Sequence, residues 1–325
     1  MTTRIYASND ELPNGLMEDN FFHSPTLFQL SRQTPRHRPY MVTVEQEEGF
    51  VVAQMLALVR YRSSFFPPYF YMHCRVLGEG AYADNLSQQQ REELFGLMVS
   101  ALKTKLNRRI LYIEVSHLSQ KMFAYRTFRQ QQFFPVRWMS IHNSLHSAPP
   151  AERLTAKTRK HIDQAMKRGV TTSEVSTEAD FQSFMKLLRH HHWLKPRRYV
   201  PHDKFFQGIM GTEHARLFVS RYKGHAIGCS AVAYSQGQAY LWYAAYRRKT
   251  FGWLHPAEAT IWHALEDAYQ RGYQHMYFLD VGLPFRKNPF REFILRFGGK
   301  PASTYRWFYC PINWINKLCA WLYRE

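Results

Sequence analysis

From Gln238 to Lys249 the chain reads "QAYLWYAAYRRK", a run of aromatic rings followed by three cations ahead of a helix start at "HPAE". Alternation along an extended strand puts Trp242, Ala244 and Tyr246 on one face and Tyr243 and Ala245 on the other. Tyr243 and Tyr246 are phenols that could donate a proton, Trp242 could wall a substrate, and core packing is the alternative for all three rings. Arg247, Arg248 and Lys249, with Gly252 in the loop, stand directly before a helix, whose first N–H groups and dipole favour anions. A plain basic surface turn is the other reading. Asp280 ends the apolar run "HMYFLD". A carboxylate at the open end of a buried strand can serve as general base, its pKa raised by burial, or it can cap a loop or pair with Arg286.

A second concentration of charge is "LTAKTRKHIDQAMKRGV", residues 154–170. Leu154, Thr158, Ile162, Ala165, Met166 and Gly169 form one stripe at helical spacing, predicting an amphipathic helix. Lys160 and Lys167 point outward to solvent, whereas Lys157 and Arg159 are the substrate-binding candidates of this helix. Arg159 lies at the edge of the stripe, where its guanidinium could fork to a phosphate or carboxylate in the cleft between the two halves. Arg198, in the basic loop "KPRRYVP", is a further anion contact. Glu258, third in its helix, suits the helix dipole better than catalysis. The run His190–His191–His192 does not read as a metal site, because consecutive helical residues point in different directions. With no HExxH, GxSxG or P-loop, the expected chemistry needs no metal, redox group or other tightly bound cofactor.

These groups sit in a strongly basic chain of 325 residues with a formal charge of +18. Residues 1–150 hold 16 Lys/Arg against 12 Asp/Glu, and residues 151–325 hold 27 against 13, so the second half carries +14 of the excess. Such a field favours phosphate-bearing ligands, nucleic acid, anionic lipid or acidic glycans. Cys74, Cys229, Cys310 and Cys319 show no CxxC or zinc spacing, which fits a reducing cytoplasm. No apolar run approaches membrane-span length. The closing "NWINKLCAWLYRE" predicts a short aromatic amphipathic helix that packs on the body or makes peripheral contact with the inner membrane surface.

The elements that position these groups recur. A hairpin around Glu47-Glu48-Gly49 precedes helix 87–107, strand 109–116, helix 120–131 and strand 134–143. A meander turning at Lys223-Gly224 and Gln236-Gly237 precedes helix 256–271, strand 275–281, helix 289–297 and strand 301–310. We read two α/β units with mixed sheets, divided at "SAPPAE" into 1–147 and 148–325, the second with two leading helices and a C-terminal helix.

That order resembles the GNAT acyltransferase fold, and two such units in tandem resemble the FemAB-type aminoacyl transferases. The resemblance spans roughly residues 20–310 and rests on "FFHSP", on Leu154, Lys157, Arg159, Ile162, Ala165 and Gly169, on Phe206, "YLWYAAYRR", Pro256, Asp280 and "FILRFGGKP". It implies two tandem GNAT-like units, an acyl donor entering between splayed fourth and fifth strands, and phosphates held by Arg247, Arg248, Lys249 and Gly252. The implied activity is N-acyl transfer from acyl-CoA or aminoacyl-tRNA to a small or lipid-linked amine, in cell-wall or envelope metabolism. Two departures favour acyl-CoA over tRNA: the chain has no heptad run for the family's coiled-coil arm, and Ile294 stands where the family often has Lys. The competing class is a non-catalytic binder of RNA or another polyanion.

Overall fold

The computed structural model describes residues 1–64, 68–118, 121–192, 199–279 and 281–323. In chain order the regular elements are β1 (Thr2–Tyr6), α1 (Pro25–Gln33), β2 (His37–Glu45), β3 (Val51–Ser64), β4 (Tyr69–Leu77), β5 (Ala81–Tyr82), α2 (Gln88–Leu106), β6 (Tyr112–Ser116), α3 (Tyr125–Gln130) and β7 (Phe134–Ser144). They continue as α4 (Ala156–Lys167), β8 (Thr171–Glu174), α5 (Glu178–His192), α6 (Asp203–Met210), β9 (Ala215–Tyr222), β10 (His225–Ser235) and β11 (Gln238–Tyr246). The last are α7 (Pro256–Gln270), β12 (His275–Phe278), α8 (Pro289–Leu295), β13 (Lys300–Tyr309) and α9 (Asn313–Leu322).

Local chemistry explains most of these boundaries. Ser24 accepts from Leu27 N–H ahead of Pro25, and Ser87 with Gln90 forms a capping box at the start of α2. The meander turns are two-residue loops with positive φ at Lys223, Gly224, Gln236 and Gly237, the hand that matches strand twist. Of the stripe expected at 154–169, Met166 is half exposed and Gly169 exposed. On α2, Leu97 is half exposed and Gly96 faces inward, where a β-carbon would lie 2.6 Å from Thr127 Cγ2 of α3.

Two compact units form, one of Met1–Trp138 with Ser303–Glu325, the other of Met139–Ala302. In the first, neighbours run β1-β2-β3-β4-β6-β13, antiparallel except for the parallel β4–β6 pair. The second repeats that order as β8-β9-β10-β11-β12-β7, antiparallel except for β11–β12. The division therefore differs from a cut at 147/148. Each ladder ends on the strand that chain order gives to the other unit: β13 pairs with β6 through Arg306↔Ser116, and β7 pairs with β12 through Ile141↔Phe278.

The first unit buries Phe95, Phe128 and Trp307 beneath α2 and α3, with Phe128 stacked on Trp307 at 4.7 Å, worth about 0.5–1.5 kcal/mol beyond the area buried. The second packs Ile261, Leu265, Ile294 and Phe297 against Leu241 and Phe278. At Gly228, in β10, a β-carbon would lie 2.0 Å from Thr260 Oγ1 and 3.3 Å from the Pro256 carbonyl, so only glycine lets the first turns of α7 seat on the sheet.

Two stability measurements follow. Gly228→Ala should cost about 1–3 kcal/mol in urea unfolding by overpacking, whereas Gly252→Ala, which opens into free space, should cost under about 1 kcal/mol. Burial pushes the imidazoles of His23 and His73 down to about 3 and that of His37 to about 2. The native chain then stays unprotonated at these sites while the unfolded chain takes up protons below about pH 6.5. Their contribution is complete above that pH and falls toward pH 3, by up to about 1.4 kcal/mol per pH unit for each histidine. The urea midpoint should drop between pH 7 and pH 5, and a flat midpoint would contradict the burial.

Candidate functional site

The site begins where two parallel strands part. β11 and β12 pair from Gln238↔His275 to Leu241↔Phe278; there β12 ends, while β11 continues through Trp242–Tyr246. The chain after β12 turns to its other neighbour, and Met139 N–H of β7 donates to the Gly282 carbonyl at 3.1 Å. Among the described residues the β11–β12 ladder thus stops at Leu241, and the last five residues of β11 lie beyond it. In the first unit the corresponding pair stays closed. β4 and β6 are in register to Leu77↔Ser116, and Gly78 N–H still donates to the Ser116 carbonyl.

A β-bulge sits at the point of parting. The register steps from Val232↔Leu241 to Ala231↔Tyr243, leaving Trp242 as the extra residue. Strict alternation put Trp242 with Ala244 and Tyr246; the bulge separates them. Ala244 and Tyr246 join Ala239 and Leu241 on the α7 side. Trp242 packs on Phe205 and Tyr243 on Phe206, both of α6, at 5.4 and 5.3 Å. Tyr246 meets His191 of α5, whose Nδ1 lies 3.3 Å from the Tyr246 carbonyl.

Past Tyr246 the basic turn is held by the fold. Arg247 N–H donates to the Ile227 carbonyl, and Phe251 N–H donates to the Arg247 carbonyl. Arg247 Nε is buried with no hydrogen-bond partner among the described residues, a donor suited to an anion. The Arg248 guanidinium lies 5.2 Å from the Tyr246 ring and 4.6 Å from Phe293 of α8, at the open side of β11. Lys249 is exposed and Gly252 opens a short 3-10 turn. His255, in the left-handed region at φ 48°, precedes Pro256 and gives α7 no side-chain cap. The first N–H groups of α7 thus take no cap from the residue before the helix, and such groups favour an anion.

The basic helix α4 packs on this same turn by its predicted stripe, where Ala165 meets Leu254 and Ala259, and His161, Gln164 and Arg168 lie along the rim of that face. His161 stacks on His255 with centroids 3.9 Å apart, and its Nδ1 donates to Glu258 Oε1, 3.2 Å away; His255 Nε2 lies 3.1 Å from Gln164 Oε1, and Arg168 donates to the Trp253 carbonyl. Burial, reinforced by His161 and Arg168, holds the His255 imidazole below its ordinary value, so it is neutral near pH 7. The ligating atoms of His161, His255 and Glu258 lie within 4.8 Å of one another. The two rings are parallel to within 9°, so their lone pairs do not converge as a tetrahedral ion requires, and Arg168 with the helix N-terminus disfavours a cation.

Arg159 is exposed and donates to the Ala151 carbonyl at 2.8 Å. It borders a hollow of about 500 Å³ with Trp262 and Glu266, six and ten residues past Pro256 on α7. Lys157 is exposed on the same helix. The structure thus gathers Tyr243, Tyr246, Arg247, Arg248, Lys249 and Gly252 around the end of β11, with Trp242 at the bulge, and leaves Lys157 and Arg159 elsewhere. Asp280 and Arg198 lie outside the described residues. Sequence reasoning missed His191, His161, His255 and Arg168. The spacing 161, 164, 168 was a helical face in plain view, but its partner was not readable. Glu114, the first unit's counterpart of Asp280, is buried between Arg75 at 3.5 Å and Arg306 at 3.3 Å and accepts from Ser116 Oγ. That carboxylate is committed to structure.

Residues 156–287 match the family described as Acetyltransferase (GNAT) domain. No curated protein matches the sequence. Among solved structures, FemX is similar at a TM-score of 0.63 with 11% identity, covering 93% of this chain and 94% of that one. The C-terminal domain of a putative lysylphosphatidylglycerol synthetase from Agrobacterium fabrum is similar at 0.56 with 10% identity, covering 86% and 87%. A tandem GNAT protein from the clavulanic acid biosynthesis pathway is similar at 0.54 with 10% identity, covering 88% and 87%. The chain has a FemAB-type fold of two tandem GNAT-like units, and its second unit matches the Acetyltransferase (GNAT) domain.

Proposed function

We propose that the chain is an acyltransferase that moves an acyl or aminoacyl group from an activated donor to an amine, with the donor held in the second unit. One observation carries this reading: β11 runs on past the end of its pairing with β12 at Leu241 and brings Arg247 and Arg248 to a helix start that its N-cap residue, His255, does not cap. A donor lying along that edge has its carbonyl beside the backbone of β11 and its phosphates beside Arg247, Arg248 and the first turn of α7. The amine lone pair attacks the carbonyl carbon, the oxyanion accepts from β11, a base takes the ammonium proton, and the thiol or hydroxyl leaving group departs with a proton. Asp280 is the proposed base, with Tyr243 or Tyr246 as proton donor, and Lys249 and Gly252 complete the donor turn. Trp242 shapes the wall near the reacting carbonyl, and Lys157, Arg159 and Arg198 serve the acceptor side.

Acyl-CoA is the favoured donor class, because the basic turn suits a pyrophosphate and no coiled-coil arm is encoded; aminoacyl-tRNA is the alternative. The similarity to FemX and to the lysylphosphatidylglycerol synthetase domain supports a small or lipid-linked amine as acceptor, in envelope metabolism. The free thiols Cys74 and Cys229, both buried, support a reducing, cytoplasmic setting.

The joint variant Arg247→Ala/Arg248→Ala should weaken donor binding at least tenfold, measured by calorimetry across acyl-CoAs and aminoacyl-tRNA. Asp280→Asn should lower kcat at least tenfold and leave donor affinity within about twofold, since it removes a base and no phosphate contact. Unchanged turnover would pass the base role to Tyr243, Tyr246 or His191. The +14 of the second half favours the second reading, a polyanion binder. That reading predicts RNA affinity that falls steeply with salt and no preference among acyl donors.

A further inference from the structure

Helix α9 is attached to the first unit with its apolar side outward. Asn316, 6% exposed, accepts from Cys310 N–H and donates to the Gln132 carbonyl, both at 2.9 Å. Tyr323 stacks on Phe134, with ring centroids 6.1 Å apart. At helical spacing Trp314, Leu318, Trp321 and Leu322 fall within an arc of about 100° opposite Asn316. They are 68%, 47%, 57% and 62% exposed. Anchored helices of soluble proteins point such residues at the core; here the anchor is an asparagine and the large rings face away.

We propose that this face binds the surface of an anionic lipid bilayer, lying in the interfacial plane. Charge decides between this occupant and a second copy of the chain. α9 carries Lys317 and no acidic residue, and Arg126 and Arg129 are exposed on α3, which leads directly into the Gln132 contact. A chain of formal charge +18 is repelled by its copy and drawn to anionic lipid. Tryptophan suits the headgroup boundary, where an apolar ring and a polar N–H are both accommodated. None of the described helices is long and apolar enough to cross a membrane, so the contact is peripheral. The inference stands on α9 alone and does not depend on the acyl-transfer reading.

The test is co-sedimentation of the full chain with vesicles of phosphatidylcholine containing one quarter phosphatidylglycerol, against phosphatidylcholine alone. The wild type should bind the anionic vesicles, more weakly as salt rises. Trp314→Ser/Trp321→Ser should reduce partitioning at least tenfold, and Trp314→Phe/Trp321→Phe should restore most of it. Circular dichroism and the urea midpoint should not change, because both side chains are exposed. Failure of the wild type to bind, equal binding by the serine variant, or a wild-type dimer in light scattering that the serine variant abolishes would each overturn the proposal.

Discussion

The pairing of β12 with β7 is the constraint on which the second unit depends. β12 is four residues long and must satisfy both of its edges. It does so with β11 on one side and with β7, over Ile141–Ser144, on the other. Once the next stretch follows β7, it cannot also follow β11, and the opening is the geometric remainder. The bulge at Trp242 falls at that same point, and such bulges increase local twist. The glycine pair Gly298-Gly299 belongs to the same arrangement. A β-carbon on Gly299 would lie 2.5 Å from Ile141 Cγ2, so β7 could not take its place.

The two units share a strand order but not an electrostatic character. Where β6 carries Glu114, two arginines close on it, and the adjoining parallel pair stays zipped to its end. Where β11 carries its rings, a cationic turn and a bare helix start follow. One strand order thus carries a closed, ion-paired end in the first unit and a cationic turn in the second.

Much of this was legible in the sequence because the signals were local. Ser87 with Gln90, Pro256 at a helix start, and the Lys-Gly and Gln-Gly pairs of the meander each act within a few residues. The run toward Arg247 and Arg248 was legible for the same reason. The exchange of last strands was not, since nothing in "RWMSIHN" or "TYRWFY" names its neighbour. The bulge was hidden too, because alternation assumes an unbroken register. The angle from the apolar stripe singles out Arg159 on the basic helix, yet it is His161, Gln164 and Arg168 that hold the turn before α7. A helix's own pattern tells which side is buried, not what lies beside its rim.

The exchanged strands also bear on how the chain reaches its native state. Ser116 and Arg306 are neighbours in one ladder yet stand 190 residues apart in sequence. During synthesis the first unit therefore emerges with the outer edge of β6 uncovered and Trp307 missing from its core. It must wait for almost the whole chain before that edge is sealed. Pairings of such separation are slow to form, so the nascent first half passes through a period in which an open strand edge is its principal hazard.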